Sequence, residues 1–167
     1  ASGRRADLVA LGERVNRQCR SFGVALTSCT VPAAGKPTFE LGPGEMEFGV
    51  GIHGEPGRRR APLASADEIA TEICEGIVKE CGDVEGRNGL LFVNGFGGTP
   101  LMELYVMHNS ARRIFEAHGL TIARSLTGSY VTSLDMAGCS ITLTMLDAEM
   151  EKLWDAPVHT AALRWGR

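Results

Sequence analysis

No stretch of this sequence approaches the ~18 consecutive apolar residues of a membrane span, and no signal-peptide core opens it. No C-x-x-C pair occurs among its five cysteines, Cys19, Cys29, Cys74, Cys81 and Cys139. An odd, unpatterned set excludes a disulfide framework and a cysteine zinc site, and it fits a reducing compartment. Clustered basic charge is also missing. The formal net charge is -3, and the one basic run, Arg58–Arg60, reads as a solvated turn rather than a nucleic-acid footprint. These absences predict a soluble, cytoplasmic protein with no membrane and no nucleic-acid partner.

What is present fits one folded unit. The chain has 167 residues, 44% hydrophobic and 22% charged, enough for one buried core. Apolar residues at three- and four-residue steps predict helices over Arg5–Phe22, Ala66–Cys81 and Pro100–His118, with a short one at Ala148–Trp154. In the first, Leu8, Leu11, Val15, Cys19 and Phe22 recur. In the long third helix, Leu101, Leu104, Tyr105, Ala111, Ile114 and Phe115 face inward. Ser65 with Glu68 has capping-box spacing, while Thr99 and Pro100 read as N-cap and first helical residue. Strands are expected at Val24–Thr30, 46–52, Gly89–Asn94, Leu120–Ser133 and Gly138–Leu146, the last two joined like a hairpin through Leu134–Ala137. Val31–Gly44 is a Pro- and Gly-rich loop with Lys36 near its tip. Ala1–Arg4 reads as frayed and resembles no translation start, so the chain is expected to begin inside a longer sequence. The tail after Trp154 is extended, through Pro157 to Arg167. The expected fold is α/β with α+β character: a two-layer mixed sheet of about six strands, with helices packed on one face.

Several residues invite a chemical reading. Asn94–Pro100 has the strand–glycine–helix order of a phosphate-cradling loop, yet it lacks a Walker lysine and the G-x-G-x-x-G spacing, so a tight packing turn is favoured. Asp135 reads as a turn stabiliser, and His108 and His118 as surface or capping histidines. Ser125, Thr127, Ser129, Thr132 and Ser133 make a hydroxyl-rich strand in which no nucleophile has identifiable partners. His53 is the exception. In Met46–Arg60 one side alternates Met46, Phe48, Val50 and Ile52, the other Glu47, Gly49 and Gly51. The run then breaks at His53-Gly54-Glu55-Pro56-Gly57. An imidazole beside glycines at a strand end is open to a ligand. Its unprotonated ring nitrogen can add to a ketone or aldehyde carbonyl to give a hemiaminal. Such a bond separates carbonyl compounds from polyols of the same size.

Over most of its length the chain resembles the substrate-binding subunit of dihydroxyacetone kinases. The resemblance rests on L-T-S-C-T-V-P (Leu26–Pro32), G-K-P-T-F-E-L (Gly35–Leu41), E-M-E-F-G-V-G-I-H-G-E-P-G (Glu45–Gly57), T-P-L-M-E-L-Y (Thr99–Tyr105), S-L-D-M-A-G-C-S-I-T-L (Ser133–Leu143) and L-W-D-A-P-V-H-T (Leu153–Thr160). It implies that His53 is the residue binding dihydroxyacetone covalently, as a hemiaminal, for phosphoryl transfer. It also implies that residues 1–167 are the C-terminal domain of that subunit. The family's N-terminal domain, which positions the ketose hydroxyls and supplies acid–base groups, is absent here, so the chain is not expected to be active alone. The resemblance implies a homodimer that binds no cofactor or metal itself, with ADP or ATP and Mg on a separate subunit or domain. The end at W-G-R matches the two-subunit type, in which a phosphoenolpyruvate relay recharges the nucleotide. Arg58–Arg60 could help dock that acidic partner. Two alternatives stay open: a non-catalytic ketose-sensing or regulatory module, and a kinase for a related ketose such as erythrulose.

Overall fold

The computed structural model describes residues 2–53 and 57–166. Expectations for Ala1, Gly54, Glu55, Pro56 and Arg167 lie outside the described residues. Chain order is α1 (Ser2–Gln18), β1 (Cys19–Ala25), β2 (Glu45–Phe48), β3 (Arg59–Pro62), α2 (Ala66–Cys81), β4 (Asn88–Gly95), α3 (Leu101–Ala117), β5 (Thr121–Gly128), β6 (Gly138–Leu146) and α4 (Ala148–Trp154), then the small strands β7 (Val158–His159) and β8 (Arg164–Trp165). Six strands form one sheet in the order β3-β2-β1-β6-β4-β5, and β7 pairs with β8. Only β4 and β5 run parallel, joined by α3 as a crossover; the other pairs are antiparallel. The sheet is mixed, as expected.

The main core lies between the sheet and the helices α2 and α3. Ile69, Ile73 and Ile77 of α2 and Leu104, Ala111 and Phe115 of α3 close over Val24, Leu91, Val93, Ile141, Leu143 and Met145. These strand residues alternate along β1, β4 and β6, so one face of the sheet supplies the core. Ser65 caps α2 with the full capping box. On the opposite side of β1 and β6, Ser21 and Thr142 share a hydrogen bond of 2.7 Å. Arg14 joins α1 to the start of α4 through Asp147 (3.3 Å) and Glu149.

The structure corrects several boundaries. The first helix ends at Gln18 rather than Phe22, because Cys19–Ala25 ladders along β6 from Thr144 to Gly138. Phe22 is a strand residue stacked on Phe48 at 6.0 Å between ring centroids. The apolar stripe of α1 is not buried: Leu8 and Val15 face solvent. On α3, Leu101 and Tyr105 are also exposed, and Met107 takes an inward place instead. Strand β1 stops at Ala25, where the amides of Leu26 and Thr27 turn to Ala137 O.

Strands β5 and β6 are not a hairpin. The apolar β4 lies between them and pairs with both, because the α3 crossover lays β5 parallel beside β4 and leaves its other edge for β6. The fifth strand ends at Gly128, short of Ser133. Pro100, not Thr99, holds the N-cap position of α3; Thr99 Oγ1 donates to Gly138 O (2.9 Å) and accepts from Gly138 N (2.8 Å). The tail folds back as the β7–β8 pair, with Trp165 Nε1 donating to the carbonyls of Trp154 and Ala156.

Candidate functional site

The alternating run that leads to His53 ladders only as far as Phe48, which is opposite Arg59. Gly49 then takes φ +82°, a left-handed conformation that turns the chain out of the ladder. His53 is therefore on the connection between β2 and the edge strand β3, not at the tip of a continuous strand. Its side chain is exposed, while Val50 is buried and Ile52 half-buried beside it. The sequence alternation survives in the packing even though the hydrogen-bond ladder has stopped.

Val50 and Ile52 enter a second, smaller core with Ala25, Cys29, Phe39, Phe96 and Met136. Besides the β2–β3 connection, three loops build it: the β1–β2 connection, the turn after β4, and the approach to β6. Buried Asn94 fastens the last two, accepting from Tyr130 N (3.0 Å) and Val131 N (2.9 Å) at Oδ1 and donating from Nδ2 to Val131 O (2.8 Å). Asp135 Oδ1 accepts from Thr30 N at 3.3 Å, so it ties two loops as a turn stabiliser. Ser133 Oγ lies 3.3 Å from buried Cys29 Sγ. The glycines of the Asn94–Pro100 turn serve close packing. A Cβ on Gly97 would lie 2.1 Å from Leu134 O, and one on Gly98 would lie 2.4 Å from Asp135 O. Backbone fills the space that a phosphate cradle would need on that side.

The neck of the His53 loop is tied on both arms. Gly49 N donates to Gly23 O and Arg58 N to Phe48 O, each at 2.7 Å. Glu47 Oε1 accepts from Gly57 N at 2.7 Å. The basic run is not a solvated turn: Arg59 and Arg60 belong to β3, where Arg59 pairs with Glu72 and lies over the Phe48 ring at 5.0 Å. Arg60 Nε is 3.4 Å from Glu47 Oε2. Charged residues on an edge strand also discourage pairing with other chains.

The other histidines have separate settings. His118 caps α3 and contacts Glu75 Oε1 at 2.9 Å. His108 is half-buried on α3, edge-on to Tyr105, and burial together with Arg112 lowers its pKa. Ser125 and Thr127 lie on β5 and Ser129 and Thr132 in the loop beyond it. Among the described residues no group of three or more His, Cys, Asp or Glu is placed to hold a metal, and no helix is long and apolar enough to cross a membrane. Sequence reasoning missed Glu47, assigned there to the side facing away from the apolar residues but in fact buried. The available signal was an acid placed inside an apolar run just ahead of a glycine-rich loop.

Fold and site together define an α/β domain that presents one histidine on a strand connection rooted in a small loop core. The chain belongs to the Dak1 domain family, whose profile matches residues 3–162. It is 45% identical, over 94% of its length and 51% of the relative's, to the PEP-dependent dihydroxyacetone kinase, dihydroxyacetone-binding subunit DhaK of Escherichia coli. It is 39% identical to the L-erythrulose kinase of Pectobacterium atrosepticum, over 96% of this chain and 28% of that one. The solved structure of the dihydroxyacetone kinase operon co-activator Dha-DhaQ superimposes with a TM-score of 0.82 at 33% identity, covering 89% of this chain and 46% of the other. The chain thus spans about half the length, or less, of these relatives.

Proposed function

We propose that this chain is the C-terminal, substrate-binding domain of a dihydroxyacetone kinase, and that His53 binds the ketose covalently. The observation that carries the reading is an exposed imidazole on a loop whose base is packed into a buried core. Such a group is reachable by a ligand yet restrained in position, as a nucleophile requires. The name of the Escherichia coli relative supports the choice of ketose.

In this reaction the unprotonated imidazole nitrogen attacks the ketone carbon, and an N–C bond forms as the carbonyl π pair moves to oxygen. The proton leaves the second ring nitrogen and ends on that oxygen, giving a neutral hemiaminal with no loss of water. The adduct fixes the ketose so that a terminal hydroxyl faces the incoming phosphoryl group. Transfer then depends on positioning and on charge stabilisation by groups outside this chain. The nucleotide, ADP or ATP with Mg, belongs on a separate subunit or domain, recharged in the phosphoenolpyruvate-dependent arrangement. A homodimer, a cytoplasmic location and the remaining half of the pocket, carried by an N-terminal domain, complete the proposal. Free cysteines throughout the described chain favour that compartment.

A second reading has its own support. The likeness to an operon co-activator favours a non-catalytic ketose-sensing module on the same fold, and the Pectobacterium relative keeps erythrulose open as the ketose. The test is phosphoryl transfer to dihydroxyacetone by the full-length protein mixed with its nucleotide-bearing partner, with erythrulose and glycerol in parallel. Turnover of dihydroxyacetone above erythrulose supports the kinase reading. Ketose binding without turnover contradicts it and leaves the sensor.

A further inference from the structure

We propose that Glu47 is a positioning residue that sets the pose of His53 by clamping the far arm of its loop. The inference rests on the reading of His53 as the ketose nucleophile. Glu47 is 5% exposed, and among the described residues its carboxylate accepts a single hydrogen bond, from Gly57 N to Oε1 at 2.7 Å. The second oxygen, Oε2, has no hydrogen-bond partner among the described residues, with Arg60 Nε 3.4 Å away as its counter-charge. Burying a carboxylate with half its acceptors unused is costly, and an apolar residue would suit stability better. What this carboxylate does instead is hold one amide of the loop that carries His53.

The surrounding geometry is built around that contact. A Cβ on Gly57 would lie 2.4 Å from Phe48 O and 2.6 Å from Glu47 Cγ, so glycine alone lets the amide reach the carboxylate. On the near arm, Gly49 N is tied to Gly23 O, and Val50 and Ile52 are held by the loop core. The near arm is therefore fixed by packing. On the far arm, Glu47 holds the amide of Gly57. Losing the carboxylate frees that arm without removing any apolar contact of the main core, so the effect falls on where His53 sits. A small displacement of a nucleophile is expensive in rate.

The experiment measures amide exchange and dihydroxyacetone adduct formation, by NMR and intact mass, in the full-length native protein and in Glu47→Ala, Glu47→Gln and His53→Ala. In Glu47→Ala the Gly57 amide should exchange at least about tenfold faster while amides of β4 and α2 keep their protection. The ketose concentration for half-maximal adduct should rise at least about fivefold. Glu47→Gln, whose amide oxygen can still accept from Gly57, should restore both to within about threefold of native. Unchanged Gly57 exchange in Glu47→Ala, or an adduct half-saturation within about twofold of native, overturns the proposal. No rescue by Glu47→Gln overturns it as well. If the full-length native protein forms no adduct, the reading of His53 fails separately and the exchange arm decides what Glu47 does. Should Glu47→Ala also lose protection in α2, Glu47→Asp, too short to reach Gly57, takes its place with the same expected loss.

Discussion

Burial decides what the titratable side chains of this domain can do. Desolvation pushes the thiols of Cys74 and Cys139 up to about 12, so both remain protonated core residues at neutral pH. His108 is lowered from its ordinary 6.5, first by burial and then by repulsion from Arg112. Its buried Nε2 has no hydrogen-bond partner among the described residues, which leaves the charged form without compensation. Because the folded value lies below the unfolded one, the unfolded chain binds more protons between the two. Stability is therefore full above pH 6.5 and declines as pH falls towards the depressed folded value. We expect His108→Gln to flatten that acid-side decline in a series of melting temperatures. An undiminished slope would assign it to other groups. His53, by contrast, is exposed on its loop, a setting suited to meeting a ligand.

At the scale of elements, the site is an assembly of connections rather than of strands or helices. The turn after β4, the approach to β6 and the β1–β2 loop interlock through Asn94, Asp135 and the small core under Val50. Gly97 is the tightest joint, with φ +124° and Leu134 O 2.1 Å from the place a Cβ would occupy. Gly97→Ala should cost about 2–3 kcal/mol in urea unfolding, because backbone rather than a flexible side chain must yield. It should also speed amide exchange at Tyr130 and Val131, which Asn94 holds. A loss below about 0.5 kcal/mol would show that the loops move apart freely. Among the helices, α2 has matching local and tertiary signals: the Ser65–Glu68 box starts it, Ile69, Ile73 and Ile77 bury it, and Gly82 ends it.

For the whole molecule, the sequence was most legible where local pattern and final packing coincide. Helix α2, strand β6 and helix α4 have the boundaries their periodicity and caps predict. The mixed sheet was expected from alternating helices and strands closed by a late hairpin; the sheet is mixed, but its antiparallel pairs come from β6 lying between β1 and β4 rather than from that hairpin. Strand order was less accessible, since pairing of β4 with both β5 and β6 depends on long-range contacts that no window contains. The end of α1 was misplaced because Cys19 and Phe22 continue a helical spacing while pairing with β6 sets their backbone. His53 could be singled out from its glycines and its apolar lead-in. Glu47 was marked only as an acid inside an apolar run; its burial was not legible, because it follows from β3 folding back and bringing Gly57 to it. The central claim is that His53 forms the bond to the ketose. Intact-protein mass spectrometry after dihydroxyacetone treatment and gentle desalting, with glycerol as control, tests it most directly. The account predicts a gain of one dihydroxyacetone without loss of water, mapped to His53 and absent in His53→Ala. The same gain in His53→Ala, or none in the full-length native protein, would contradict it.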